Sequence, residues 1–385
     1  MADRPLRVLY VHHAEMAGGA ANSLLVLLRH LPPEQVDAVL VSPSDGYMQQ
    51  AGAAGPARHR HIDRTQVRWS PNPLKLMQQR AQLLRLTVVL RKLHEAEHFD
   101  LVHANCWPAA LAALAMGRDA PPVICHVRDT HTRAVVTRWL RSGCAAYIAI
   151  AHNVREFLLR NGYRDDLVHL IYNGIDADEF RPMRGRDEVR QEFGLGADTP
   201  LICCVARTAP WKRHELLLET ALLLRKQRTD VRVLLVGGYG ERDVERLGQL
   251  QELAGMSGLD DTVIFTGHRD DVPDLLAASD VFLHAASTEP MGRVVLEAMV
   301  LGKPIVVPDA AGPGELIEDS VSGLAVEPED APALAHATLK MLAEPEFARD
   351  CGRRARERVL TQFSATGMAQ KTLALYRSVL ARAGP

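Results

Sequence analysis

Short apolar, β-branched runs alternate with longer helical patterns along the whole chain, and this alternation constrains its fold more than any other feature. Such alternation is typical of parallel sheets whose strands are joined by crossover helices. In the first half, the predicted strands are Arg7–His12, Ala38–Ser42, Leu101–Ala104, Val123–Val127 and Ala146–Ala149. In the second half, they are Leu201–Ala206, Val231–Val236, Val263–Thr266, Val281–His284 and Pro304–Pro308. The pattern predicts an α/β protein with doubly wound sheets.

The length of the chain predicts two domains. Its 385 residues exceed what one hydrophobic core usually supports. Near residues 172–176 a strand ends in a turn, and a charged, proline-containing stretch follows. We therefore expect one domain over residues 1–175 and a second over 176–364, with a helix over 365–385 packing back on the first.

Composition excludes several classes of protein. A formal net charge of −2 excludes a globally basic surface that coats nucleic acid. Six cysteines are scattered without a C-x-x-C pair, which favours reduced thiols in a cytosolic protein. The first apolar run, Leu6–Val11, is too short for a signal peptide, and no apolar run is long enough to span a membrane. We expect a cytoplasmic protein, with any membrane contact peripheral at the inner face.

Charge is divided unevenly between the two halves. Residues 1–175 contain 20 Lys and Arg against 14 Asp and Glu, about +6, and the remainder contains 25 against 33, about −8. The basic excess is concentrated in Ala51–Glu95, where nine cations face two acids, Asp63 and Glu95. A solvated helix face explains most such runs. The functional alternative is attraction to an anionic acceptor or a bilayer surface.

The segment Ser287–Met299 contains two carboxylates around a predicted helix start. Glu289 lies in a loop that a proline and a glycine keep from being helical, and Glu297 lies on the second turn of a helix that begins at Arg293. Free backbone N–H groups at a helix start bind anions. The two acids could therefore hydrogen-bond sugar hydroxyls on either side of a bound phosphate. For the carboxylate pair alone, a capping loop with one exposed glutamate is the alternative.

Two cations follow the first predicted strand of the second domain. Arg207 and Lys212 lie at its carboxyl end, where open α/β sheets bind ligands. An arginine fork and a lysine point charge suit a diphosphate, although a surface charge pair is the simpler interpretation. The glycine-containing loops Val236–Gly240 and Thr266–Arg269 follow neighbouring strands and face the same crevice.

The first domain offers weaker signals. Gly18 and Gly19 follow the first strand, where glycine lets the backbone approach a phosphate. The segment is not G-x-G-x-x-G, so it gives little support to a dinucleotide cofactor. The strand Val123–Val127 contains His126, with Arg128 just after it, and a histidine at a strand end is structural as often as catalytic.

Together these positions resemble the retaining glycosyltransferases of family 4, which have the GT-B fold of two Rossmann-like domains facing a cleft. The similarity runs over nearly the whole chain, and its most specific part is the E-x7-E spacing of Glu289 and Glu297. The other matching pieces are Gly18–Gly19, Tyr172–Asp176, Phe180–Pro182, Val205–Arg207 with Lys212, Leu235–Gly238, Val263–Gly267, Gly302–Pro304, Gly312 with Glu315, and Ser322–Leu324.

The resemblance implies a nucleoside-diphosphate sugar of UDP or GDP type as donor, a hydroxyl as acceptor, and neither a metal nor a cofactor. Glu289 would hold hydroxyls of the donor sugar, and Glu297 the ribose hydroxyls. Arg207 and Lys212 would bind the diphosphate. The other implied donor-binding positions are Gly18, Gly19, Gly238, His268, Arg269, Met291, Gly292, Arg293 and Val294.

The chain departs from the family pattern at one position. Many relatives carry a His-Asp pair where this chain has Arg128 and Asp129, and His126 lies two residues earlier on the same strand face. Either His126 or Arg128 could meet the donor sugar, so both are candidate catalytic residues. Arginine at this position would replace a titratable group by a fixed cation.

The implied activity is retaining, metal-independent hexosyl transfer in the synthesis of a polysaccharide, glycolipid or glycosylated natural product. Four alternatives remain open. An epimerase or a phosphorylase could share the fold, although no lysine for pyridoxal phosphate is identifiable. An NAD(P)-linked oxidoreductase also fits the α/β alternation, and a non-catalytic nucleotide-sugar-binding protein fits the same frame.

Overall fold

The structure is a computed structural model that describes residues 4–13, 18–43, 57–62, 72–130, 134–238 and 241–383. The chain forms two compact units. The first unit consists of Met1–Gly174 together with Ala365–Pro385, and the second consists of Ile175–Ser364.

The first unit contains a parallel sheet of seven described strands in the order β3-β2-β1-β4-β5-β6-β7. These strands are β1 Leu6–Val11, β2 Val36–Pro43, β3 Arg58–Ile62, β4 Leu101–Ala104, β5 Val123–Val127, β6 Ala146–Ala149 and β7 Val168–Leu170. The helices of this unit are α1 Gly19–His30, α2 Pro73–Glu97, α3 Trp107–Leu114, α4 Ala134–Leu140, α5 His152–Arg160 and α14 Ala365–Ala383.

The central strands of this sheet are buried on both faces, because helices cover each side. All residues of β4, β5 and β6 are buried, which explains their almost continuous apolar sequence. The last helix, α14, contributes Met368, Leu373 and Tyr376 to the same core as α1. The chain thus completes the first unit after it has passed through the second.

The second unit contains a parallel sheet of six described strands in the order β10-β9-β8-β11-β12-β13. These strands are β8 Leu201–Val205, β9 Arg232–Val236, β10 Val263–Gly267, β11 Val281–Leu283, β12 Ile305–Pro308 and β13 Leu324–Val326. The helices are α6 Arg186–Glu192, α7 His214–Gln227, α8 Glu241–Met256, α9 Val272–Ala278, α10 Arg293–Val300, α11 Ala311–Leu316, α12 Ala331–Ala343 and α13 Pro345–Gln362.

The predicted fold class is confirmed, since both sheets are parallel and both strand orders reverse once. The order reverses between β1 and β4 in the first unit and between β8 and β11 in the second. Loops diverge at such reversals and leave a crevice at the carboxyl ends of the strands, where open α/β sheets bind ligands. Two strands, β3 and β13, were not predicted, and β7 was expected only as a strand without bounds that ends near residues 172–176. All three lie at sheet edges, where short strands need no apolar pattern.

Among the described helices, none is both long enough and apolar enough to cross a bilayer.

Candidate active site

The strand-order reversal of the second unit brings together the loops that follow β8 and β11. Arg207 and Lys212 follow β8, and Glu289 follows β11. The two strands are hydrogen-bonded neighbours, with Phe282 opposite Cys203. Residues that lie 77 positions apart in sequence therefore meet at one edge of the sheet.

A short 3-10 turn, Pro210–Lys212, directs Lys212 inward. Arg213 then takes a left-handed conformation (φ 58°) and leads into α7. The Lys212 side chain is 11% exposed. Arg207, by contrast, is exposed, and its guanidinium carbon lies 5.6 Å from the centre of the Trp211 ring. Such a cation–π contact holds the guanidinium in place while its N–H groups stay accessible.

Lys212 and His284 both contact one carboxylate oxygen of Glu289. Lys212 Nζ lies 2.6 Å from Glu289 Oε2 and His284 Nε2 lies 3.0 Å from it. The lysine contact is a hydrogen bond, and the histidine nitrogen lies at hydrogen-bonding distance from the same oxygen. Burial by itself would raise the pKa of Glu289, but the charge of Lys212 and the contact with His284 outweigh it, so the pKa lies well below its usual range. Glu289 is therefore a carboxylate at any physiological pH.

The second acid of the motif has the opposite environment. Glu297 lies on α10, where Arg293 Nε donates to its Oε1 at 3.0 Å. Burial raises the pKa of Glu297, and the charge and hydrogen bond of Arg293 offset this only in part. Two carboxyls eight residues apart thus differ in proton affinity because of their surroundings.

The turn between these acids leads into the start of α10. Gly292 is the N-cap with φ 84°, so no side chain caps the helix from that position. The loop is held from behind by α11, because Gly312 N donates to Glu289 O at 3.0 Å. A Cβ on Gly312 would lie 2.1 Å from Met291 Cα, which excludes any larger residue without rearrangement. The N–H groups of residues 293 and 294 lie in the first turn of α10, where a helix offers them no acceptor of its own.

The glycine loops after β9 and β10 contact the loop after β8. Gly237 has φ 148°, and a Cβ there would lie 1.8 Å from Ala206 O. Gly237 N also donates to Gly267 O at 2.9 Å. A Cβ on Gly238 would lie 3.9 Å from His268 N, an ordinary contact, but its φ of 131° favours glycine. The three loops thus approach one another through their backbones, and at Gly237 there is no room for a side chain.

The side chains of the β10 loop point to partners within the second unit. His268 is exposed, with Nε2 3.2 Å from Asp270 Oδ1. Arg269 donates to Glu192 Oε1 at 2.7 Å and to Asp271 Oδ2 at 2.6 Å. The Arg269 guanidinium therefore ties the loop to α6, and the role at the nucleotide base predicted for this position stays a prediction.

In the first unit, the predicted glycine loop precedes α1. Gly18 is the N-cap in extended conformation, and a Cβ on Gly18 or Gly19 would meet no atom within 4 Å among the residues described. Packing within this unit does not require glycine at either position. Met16 and Ala17 of the same motif lie outside the described residues.

Arg128 is held by three side chains from three different segments. Nε donates to Asn105 Oδ1 at 2.8 Å, Nη1 to Asn173 Oδ1 at 2.7 Å, and Nη2 to His126 Nδ1 at 3.2 Å. Asn105 follows β4 and Asn173 follows β7, so the guanidinium bridges the carboxyl edge of the sheet. This geometry fixes a cation at the position where the resemblance leads one to expect a histidine.

A chain of hydrogen bonds continues beneath Arg128. A guanidinium can only donate, so His126 Nδ1 must accept. His103 Nε2, 3.1 Å away, then donates to the same atom, and His103 Nδ1 accepts from Tyr376 Oη at 2.6 Å. Burial and then the charge of Arg128 lower the pKa of His103 to about 3 and that of His126 well below its usual value. Both rings are neutral, as this arrangement requires.

The sequence left open whether His126 or Arg128 meets the donor sugar. His126 is 0% exposed, whereas Arg128 is partly exposed. A buried ring cannot touch a sugar without rearrangement of the core. His126 Nδ1 instead accepts from Arg128 in this structure, and which of the two residues meets the donor sugar stays a prediction.

Sequence reasoning missed several residues of this site. His284 carries a readable signal, since it is a polar residue directly after the apolar strand β11, five positions before Glu289. Asn105 likewise follows β4. His103 and Tyr376 carry no such signal, because their contact joins residues 273 positions apart.

The buried histidines predict a pH-dependent stability. Burial lowers the pKa of His12 and of His103 to about 3, whereas an unfolded chain has about 6.5. As pH falls below about 6.5, protons bind only the unfolded state, so the free energy of unfolding decreases. We expect about 2 kcal/mol per histidine between pH 7 and pH 5, measured by urea denaturation.

The variant His103→Gln should lose the contribution of one histidine to the pH dependence of the free energy of unfolding. His336→Gln, at an exposed position on α12, is the matched control and should keep the wild-type slope. An unchanged slope in His103→Gln would show that this ring is protonated in the folded protein.

Two family models and several known proteins match this chain. The family model described as "Glycosyltransferase Family 4" matches residues 17–179, and the one described as "Glycosyl transferases group 1" matches residues 185–358. An alpha-maltose-1-phosphate synthase of Mycolicibacterium smegmatis is 30% identical over 78% of this chain and 84% of its own. A D-inositol 3-phosphate glycosyltransferase of Saccharomonospora viridis is 31% identical over 74% of this chain and 72% of its own.

Solved structures share the fold over almost the whole chain. The Anabaena protein Alr3699/HepE, in a crystal structure with UDP and glucose, has a TM-score of 0.82 at 22% identity and covers 97% of this chain and 100% of its own. A sucrose-phosphate synthase from Thermosynechococcus elongatus has a TM-score of 0.81 at 22% identity, with 98% and 100% covered.

Proposed function

The chain belongs to the family 4 glycosyltransferases with the GT-B fold, and from this premise we propose that it transfers a sugar from a nucleoside diphosphate to an acceptor hydroxyl with retention of anomeric configuration. The observation that carries the proposal is the contact of Lys212 with Glu289 at the strand-order reversal of the second unit. A cation for phosphate and an acid for sugar hydroxyls lie side by side there.

The proposed chemistry is mainly electrostatic. Breaking the bond between the anomeric carbon and the phosphate oxygen leaves an oxocarbenium-like sugar and a diphosphate that gains negative charge. Arg207, Lys212 and the free amides at the start of α10 are positioned to stabilise that charge. We propose that these groups suffice without a metal ion.

Retention follows from the proposed course of the reaction. With no assigned protein nucleophile, the acceptor oxygen bonds to the anomeric carbon on the face that the diphosphate leaves. The acceptor proton passes to the departing phosphate oxygen, and the nucleoside diphosphate is released. Arg128 meets the donor sugar in this scheme, and His126 fixes its orientation through the 3.2 Å hydrogen bond.

Glu289 and Glu297 bind different parts of the donor. Glu289 is a carboxylate that accepts from sugar hydroxyls, and Glu297 binds the ribose hydroxyls. The complexes of the Anabaena neighbour with UDP and with UDP-glucose support a UDP-sugar ahead of a GDP-sugar. The backbones at Gly238 and His268 lie close enough together to form a surface for the base.

We propose a cytoplasmic protein that works at the inner membrane face on a hydroxyl of a growing polysaccharide, a glycolipid or a natural product. An epimerase would use the same donor but release an altered sugar without any acceptor. A non-catalytic binding protein is disfavoured, because Arg207, Lys212, Glu289 and Glu297 are all present.

Ligand binding separates these candidate classes. In thermal unfolding with UDP, GDP, ADP or NAD, we expect a nucleoside diphosphate to raise Tm by roughly 5 °C at 100 times its Kd. A larger shift with NAD would contradict the proposal. Mass spectrometry with a panel of nucleotide sugars and acceptors then distinguishes transfer, which yields a glycosylated acceptor, from epimerisation, which yields none.

A further inference from the structure

Helix α2 has apolar side chains on two opposite faces. One face packs into the first unit through Leu86 and Leu90, both buried. Its Thr87 Oγ1 also donates to Ala112 O of α3 at 3.1 Å. Asn72 Oδ1 caps the helix by accepting from Leu74 N at 2.9 Å. The core therefore accounts for only one side of α2.

The other face presents an apolar stripe to solvent. Leu74 is 68% exposed, Met77 69%, Leu84 57% and Val88 48%, and the exposed Ala81 lies among them. Their spacing, at i, i+3, i+7, i+10 and i+14, places all five on one side of a helix. Isolated exposed apolar residues are ordinary, but a contiguous exposed patch marks a site of interaction.

Cations lie on both sides of this stripe. At 100° per residue, Arg80 and Arg91 fall on one flank and Arg85 and Lys92 on the other, all four exposed. From Pro73 to His94 the helix contains no acidic residue. The two acids of the last turns are Glu95, which lies on the same side as the stripe but about two turns beyond Val88, and Glu97.

Glu97, one of those two acids, is engaged away from the stripe. Its Oε2 accepts from Arg58 at 2.8 Å and its Oε1 accepts from Arg60 at 3.3 Å, both on the edge strand β3. The charge of the exposed face of α2 is therefore positive along nearly its whole length.

This charge pattern selects the partner. A second copy of α2 packed on the stripe would bring like charges together along both flanks, which opposes a helix pair. An anionic bilayer complements both features, because headgroups pair with the cations while the apolar side chains enter the boundary of the acyl chains.

We propose that α2 lies flat on an anionic bilayer and anchors the protein there through Leu74, Met77, Leu84 and Val88. The stripe spans 14 residue steps, about 21 Å of helix. This inference deepens the membrane location proposed above but does not depend on the transferase chemistry, because none of its residues belongs to the donor site.

Vesicle co-sedimentation of the full chain tests this inference. With vesicles of phosphatidylcholine containing about 30% phosphatidylglycerol, we expect at least tenfold tighter binding than with phosphatidylcholine alone, and weaker binding at high salt. Leu84→Glu should weaken binding to the anionic vesicles at least tenfold. Val244→Glu, which alters an equally exposed apolar residue on α8 of the second unit, should leave it unchanged.

Three results would overturn the inference: no preference for anionic vesicles, equal binding by Leu84→Glu and wild type, or a dimer in solution that Leu84→Glu dissociates. The thermal shift given by UDP is measured on the wild type and on Leu84→Glu. In the wild type, a UDP shift with no vesicle binding refutes the anchor alone, and vesicle binding with no nucleotide shift refutes the donor site alone.

Discussion

Replacing Lys212 by alanine should lower kcat at least 100-fold while the protein stays folded. The ammonium group is nearly buried and lies 2.6 Å from Glu289, so it contributes a fixed charge where the leaving diphosphate is expected. Its loss leaves Glu289 without its cation, which costs about 2 kcal/mol of stability. Initial rates of nucleoside diphosphate release, with far-ultraviolet circular dichroism as the measure of folding, test this result.

The matched control for this variant is Lys226→Ala. Lys226 is an exposed lysine in the last turn of α7, the helix that the Lys212 turn introduces. It should retain wild-type activity and Tm. Wild-type turnover in Lys212→Ala would remove the phosphate assignment and, with it, the main support for the proposed site.

Replacing Glu289 by glutamine should lower kcat/KM about 100-fold or more. Glutamine keeps the size of the side chain but removes the negative charge that Lys212 and His284 hold in place, so Lys212 loses its partner and the sugar loses its strongest acceptor. Because the pKa of Glu289 is depressed, its carboxylate should stay ionised well below pH 5 and add no acidic limb to the pH profile of the wild type.

Two further variants make the Glu289 experiment specific. Glu297→Gln should act mainly on the KM of the donor, because ribose hydroxyls lie away from the bond that breaks. Glu252→Gln, at an exposed position on α8, should change neither constant. The assignment of Glu289 fails if Glu289→Gln keeps more than a tenth of wild-type kcat/KM, or if it alters only the KM of the acceptor.

The lowered pKa values of Glu289 and of the buried histidines also determine how the stability of the protein should depend on pH. A carboxyl whose folded pKa is lowered stabilises the protein above its unfolded pKa of about 4.3, and that contribution disappears only as pH falls towards the folded value. The buried histidines lose their contribution earlier, below about pH 6.5. Acid destabilisation between pH 7 and pH 5 should therefore arise at buried histidines of both units, including His214 in the second, rather than at Glu289.

Sequence alone determined the fold class and the main candidate residues. Apolar runs of strand length between helical patterns predicted parallel sheets, because the period of side chains in a helix or strand is a local property that neighbours in sequence reveal. Since all strands of a parallel sheet end at one edge, Arg207, Lys212 and Glu289 could be assigned to that edge before any contact was known.

Tertiary structure decided which of these residues meet and in what state. Lys212 reaches Glu289 only because β11 pairs with β8 rather than with the strand before it in sequence. Asn105 and Asn173 reach Arg128, and Tyr376 reaches His103, from segments far apart in the chain. Strand order and burial are properties of the whole chain, so local periodicity cannot encode them. The spacing of the apolar residues on α2 is local, but the tertiary structure decided that this side of the helix faces solvent.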